Sequence, residues 1–64
     1  MAHHFFKANI TYSKAGHYTV TIRDPRRQIV HSRRLISCLE YAHRDILDFI
    51  GSSEAKELMA KVAA

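Results

Sequence analysis

A chain of 64 residues, 47% of them hydrophobic, forms one domain at most, is too apolar to stay disordered, and buries only about 60% of its unfolded surface. Its single cysteine, Cys38, excludes an internal disulfide framework, and no apolar run approaches the roughly 18 residues of a membrane span. The net charge of +4 is unevenly placed: seven basic residues face one acid, Asp24, up to Ile36, whereas three face five acids from Ser37 onward. Met1 to Lys7 lacks the basic stretch and apolar core of a signal peptide, so a cytoplasmic protein in a reducing compartment is expected.

The first element is a half-buried strand. Phe6, Ala8, Ile10 and Tyr12 alternate with Phe5, Lys7, Asn9 and Thr11, which is the period of a sheet with one wet face. Ser13 to Gly16 reads as a four-residue hairpin loop, Gly16 being free to take positive φ. In the second strand Tyr18, Val20 and Ile22 point one way and His17, Thr19, Thr21 and Arg23 the other. Asp24-Pro25-Arg26-Arg27 is a type I turn signal, because proline pre-sets φ at the second turn position. A short third strand follows over Gln28 to Ser32. Either Ile29 or Val30 faces its core side, and that choice decides where His31 points.

Ser37-Cys38-Leu39-Glu40 matches a capping box, with Ile36 placed for a hydrophobic staple to Tyr41. Leu39, Ala42, Ile46, Phe49 and Ile50 then make an apolar stripe at helical spacing, and Gly51 stands where the helix would end. Ser52 or Ser53 caps a second helix carrying Ala55, Leu58, Met59 and Val62, which either packs on the first helix or meets a partner. The prediction is an α+β domain over 1–64, βββαα: a three-stranded antiparallel meander over 5–32, a main helix over 37–50 covering one sheet face, and a short helix over 53–62.

No nucleophile elbow, glycine-rich phosphate loop or acid pair with a plausible catalytic geometry appears, so the chain is expected to bind rather than catalyse and to need no cofactor. His3, His4, His17, His31 and His43 lack zinc-ligand spacing, and Cys38 near a helix start is expected to be a small apolar residue, so no metal site is expected. The open sheet face carries the functional expectation. Lys7, Asn9, Thr19, Thr21 and Arg23 are residue types that contact phosphates and base edges. Arg26, Arg27, Arg33 and Arg34 are expected to flank that face at one end and position phosphates. The expected ligand is nucleic acid. The alternative is a protein-interaction module, an antitoxin-like or phage-type inhibitor, docking on an acidic partner surface, and a homodimer is a further expectation for so short a chain.

The stretch from Ala8 to Ile50 resembles the HicB-type antitoxin core, a partial ribonuclease-H-like fold. The likeness rests on Ile10-Thr11-Tyr12, Ala15-Gly16-His17-Tyr18, Thr19-Val20-Thr21-Ile22, Asp24-Pro25, Ile29-Val30 and the helix from Ser37 to Ile50. It implies neutralisation of a basic RNA-cleaving toxin, a role that the Arg33-Arg34 pair opposes. The segment Gly16-His17-Tyr18 through Arg23-Asp24-Pro25-Arg26 is also similar to the three-stranded amino-terminal domain of tyrosine recombinases. That likeness implies a sheet lying in the major groove, in agreement with the charge.

Overall fold

The computed structural model describes residues 5–63, with side chains through Lys61. Three strands, β1 (Lys7–Tyr12), β2 (Tyr18–Arg23) and β3 (Ile29–Ile36), precede two helices, α1 (Leu39–Ile50) and α2 (Ser53–Ala63). The sheet order is β1-β2-β3, antiparallel throughout, so the expected α+β meander of type βββαα is what the chain forms. No helix among the described residues is long and apolar enough to cross a membrane.

Both hairpins close in the same way. Gly16 N–H donates to Ser13 C=O at 3.0 Å and Ser13 N–H to His17 C=O at 2.8 Å. In the second hairpin Arg27 N–H donates to Asp24 C=O at 2.9 Å and Asp24 N–H to Gln28 C=O at 3.0 Å. In each loop the fourth residue has left-handed backbone, Gly16 at φ 88° and Arg27 at φ 67°. Glycine takes that conformation freely, whereas arginine does so at a steric cost. The Asp24 carboxylate holds the second loop by accepting from Arg26 N–H and Gln28 N–H, both at 2.9 Å.

The third strand differs from the expected one. It runs to Ile36 and contains two bulges, which re-aim its side chains. Arg23 pairs with Ile29 and Ile22 with His31, so Val30 is the extra residue. Val30 therefore packs against the core, and His31 beside it faces the core too. The choice between Ile29 and Val30 is thus settled for Val30, with Ile29 55% exposed. At the other bulge, Arg34 and Leu35 oppose Thr19 alone. Simple alternation from Arg33 would turn Ile36 away from the core. The extra residue returns it opposite Tyr18, where it is buried, while Leu35 takes φ 60° and stays 75% exposed.

The core consists of Phe6, Val20, Ile22, Ile36, Ala42, Phe49 and Ala55. Phe49 is its hub. Its ring lies edge-on to Phe6 at 5.4 Å and stacks on His31 at 4.8 Å. His31 Nε2 donates to Asp45 Oδ2 at 2.8 Å, and Arg33 Nη1 reaches Asp45 Oδ1 at 3.5 Å, which ties β3 to α1. Helix α1 therefore lies over β2 and β3, and β1 keeps only Ile10 half-buried.

The helix ends also depart from expectation. Because Ile36 is the last strand residue, the chain enters α1 one position late. Cys38, in extended backbone at φ −149°, is the N-cap without a side-chain bond, so the expected capping box at Ser37 does not form. Leu39 is 46% exposed and lies outside the core stripe in which its spacing placed it. Gly51 ends α1 at φ −84°, not in left-handed backbone. Ser52 joins the helices: its Oγ donates to Phe49 C=O and accepts from Ala55 N–H at 3.2 Å. Helix α2 packs inward through Ala55, Leu58 and Met59.

Two stability outcomes follow from these contacts. Ser52→Ala is expected to cost about 1 kcal/mol, lowering the melting temperature by about 4–8 °C, whereas Ser53→Ala leaves it in place. Asp45→Ala strands His31 and is expected to cost about 1.5–3 kcal/mol in urea unfolding. Arg33→Ala, which removes only an exposed pair, should cost a few tenths; equal midpoints for the Asp45 variant and the parent protein would contradict the assigned role of the clasp.

Candidate nucleic-acid interface

The β1–β2 register places the open face. Lys7 pairs with Arg23, Asn9 with Thr21, and Thr11 with Thr19, all pointing away from the face on which Ala8, Ile10, Val20 and Ile22 lie. Ser32 extends the row Asn9-Thr21 onto β3, and Ile29 extends the row Lys7-Arg23. Three strands at about 4.8 Å spacing give a surface about 10 Å across. None of its residues is a carboxylate: Glu40, Asp45, Asp48, Glu54 and Glu57 all lie on the helices, and Asp24 is held within its own turn.

Of the nine expected site residues, the structure brings seven together. Lys7, Asn9, Thr19, Thr21 and Arg23 share the open face, and Arg26 and Arg27 sit in the turn at its Lys7–Arg23 end. Arg23 bends toward that turn, its Nη1 donating to Arg27 C=O at 2.9 Å. Arg23, Lys7 and Arg27 then line one hollow together with Phe5, Asp24 and Pro25.

Arg33 and Arg34 are not in that turn-end group. Their expected place was beside Arg26 and Arg27 at one end, but β3 carries them about 10–13 Å past the Arg23–Ile29 pair, Arg33 opposite Val20 and Arg34 opposite Thr19. Arg33 opposes Val20, on the helix side, where it meets Asp45. With Arg34, Leu35, Tyr41, Arg44 and the acids Asp45 and Asp48 it lines a separate hollow between β3 and α1. Periodicity gave no means to separate the two arginine pairs, because the bulges that do so carry no glycine to mark them. Ser32 joins the site by register; Phe5, which alternation already sets on the open side, stands beside it, held by its neighbour Phe6.

His3 and His4 lie outside the described residues. Among the described residues no three His, Cys, Asp or Glu side chains gather as a metal site requires. Cys38 is half-buried at the α1 N-cap. No family model, curated protein or solved structure matches this chain.

The backbone of Arg27 provides a test that separates fold from site. Glycine relieves its left-handed strain, so Arg27→Gly is expected to leave stability unchanged or raise it by up to about 1 kcal/mol. If the side chain serves a polyanion, the same variant binds more weakly. Chemical denaturation and binding isotherms on one preparation read both effects, and a loss of stability would count against the strain assignment.

Proposed function

We propose that this chain is a small binding module, not an enzyme, whose open sheet face and adjoining Asp24–Arg27 turn engage nucleic acid. The observation that carries this reading is the uncovered face bearing Lys7 and Arg23 among Asn9, Thr11, Thr19, Thr21 and Ser32 with no carboxylate. Side chains of these types form the phosphate and base-edge contacts of known interfaces. A face about 10 Å across matches the roughly 12 Å major groove, which a β-ribbon can enter. Cations stand at both ends of the sheet, Arg26 and Arg27 in one turn and Lys14 in the other, so that phosphates on two groove walls are within reach. The likeness to the three-stranded recombinase domain points the same way.

A second reading draws on the other hollow. Arg33, Arg34 and Arg44 there surround Tyr41 and the exposed, strained Leu35, a composition common where one protein anchors on another. Asp45 and Asp48 line it as well; with Asp45 engaged by His31 and Arg33, three arginines outweigh Asp48, and an acidic protein surface is the partner this hollow fits. The HicB-type likeness belongs with this reading. Because the arginines fall into two groups, the readings no longer share the same residues.

Fluorescence anisotropy with duplex DNA, single-stranded DNA and RNA hairpins at two salt concentrations separates them. Arg26→Ala with Arg27→Ala is expected to weaken binding across sequences and to flatten the salt slope by about 0.9 for each duplex phosphate that the variant no longer neutralises. Thr21→Glu, placing a carboxylate at the centre of the face, is expected to abolish binding while circular dichroism stays unchanged. Arg33→Ala with Arg34→Ala should weaken nucleic-acid binding less than the Arg26 and Arg27 double variant does, most clearly at the higher salt, where charges beyond the turn-end cluster are screened. No binding of any nucleic acid at low salt overturns the first reading; dependence on Arg33 and Arg34 alone transfers the function to the second hollow.

A further inference from the structure

The hollow at the Lys7–Arg23 end of the sheet differs in chemistry from the face beside it. Two of its lining residues, Phe5 and Pro25, are apolar, and three, Lys7, Arg23 and Arg27, are cationic. Its one acid, Asp24, has Oδ1 engaged by two backbone N–H groups, so positive charge dominates the rim. The Arg23 guanidinium is held by its bond to Arg27 C=O, leaving its other N–H groups free of protein partners among the described residues. Phe5 is half-buried, and its ring is oriented edge-on to Phe6 at 4.8 Å and 78°. Phe6 is in turn set edge-on against Phe49. The aromatic wall is therefore fixed from the core.

An intact duplex has little use for such a wall. Its bases are stacked on one another and present only edges in the grooves, whereas an aromatic ring recognises a base through its face. An unpaired nucleotide offers both parts at once, a flat base for Phe5 and Pro25 and a phosphate for the three cations. Phenylalanine has no hydrogen-bonding group, so recognition here is tolerant of base identity.

We infer that this hollow seats one unpaired nucleotide, and that the preferred ligand is a nucleic acid with a single-stranded nucleotide next to the segment held by the sheet. The inference rests on the nucleic-acid reading above and adds the ligand's secondary structure. Neither the sheet face nor the arginines alone would select for it.

The experiment compares a blunt DNA duplex with the same duplex carrying a short single-stranded overhang, using the full chain. The overhang is expected to tighten binding about fivefold to hundredfold, the range of one base stacked on an aromatic ring. Phe5→Leu, which keeps apolar bulk, should abolish that gain, and Phe5→Tyr should retain it. A 2-aminopurine placed in the overhang gives a readout on the parent protein that does not depend on how a variant folds. Its emission should change on binding, while the same base inside the duplex should not respond. Equal affinity for blunt and overhang duplexes, or an overhang gain that survives Phe5→Leu, overturns the inference and leaves the groove reading standing. Failure of both duplexes to bind removes the reading beneath it as well.

Discussion

The seating of Phe49 is the contact on which the rest of the structure depends. From α1 its ring meets Phe6, which precedes β1, and His31, in the middle of β3. Three segments distant in sequence are thereby held at one point, and Val20 and Ile22 close the space beneath. A chain this short gains little from burial in total, so a contact joining three elements weighs more than it would in a larger domain. The consequences run outward in two directions. Through Phe6 the ring fixes Phe5, the wall of the turn-end hollow; through His31 and Asp45 it fixes Arg33, part of the hollow against α1.

Much of this arrangement can be read in the sequence, because period-two and helical patterns are direct records of which faces are buried. The alternation of Tyr18, Val20 and Ile22, the two turn signals and the stripe of Ala42, Ile46 and Phe49 identify the meander and its covering helix. The open face follows from the same alternation. Where the reading failed, a local rule yielded to a tertiary need. Ser37 matches a cap, but burial of Ile36 opposite Tyr18 prolongs β3 and moves the helix start past it. Leu39 fits the stripe by spacing, but α1 is drawn toward β3 by Asp45 and the residue stays exposed. The bulges at Val30 and Leu35 were not legible at all. Each inserts a residue without a glycine to mark it, and one slip of register sends every later side chain to the opposite face.

These bulges also decide how the positive charge is used. In an uninterrupted strand, one of any two adjacent arginines would join Thr21 on the open face. The observed register places Arg33 over Val20, where it is committed to Asp45, and leaves Arg34 opposite Thr19 beside the bulge. The basic half of the chain thus divides into two surfaces of different character. One is a polar sheet face with cations at its ends, suited to a long, regular polyanion. The other is a compact hollow mixing arginine with Leu35 and Tyr41, suited to a shaped protein surface.

Backbone strain bears on the same division. Arg27 and Leu35 are the two non-glycine residues with left-handed backbone among the described residues, and each lines one of the two hollows. The fold explains the conformations: the hairpin closure requires one at Arg27 and the return of Ile36 to the core requires the other. It does not explain the side chains. Both residues are exposed, so neither offsets its strain by burial, and glycine would satisfy the backbone at lower steric cost. In a domain whose net stability is a small difference between large terms, about 1–2 kcal/mol of strain at each position is a substantial fraction. On the readings proposed above, a side chain that the fold does not need, held at a cost to the fold, serves what its hollow binds.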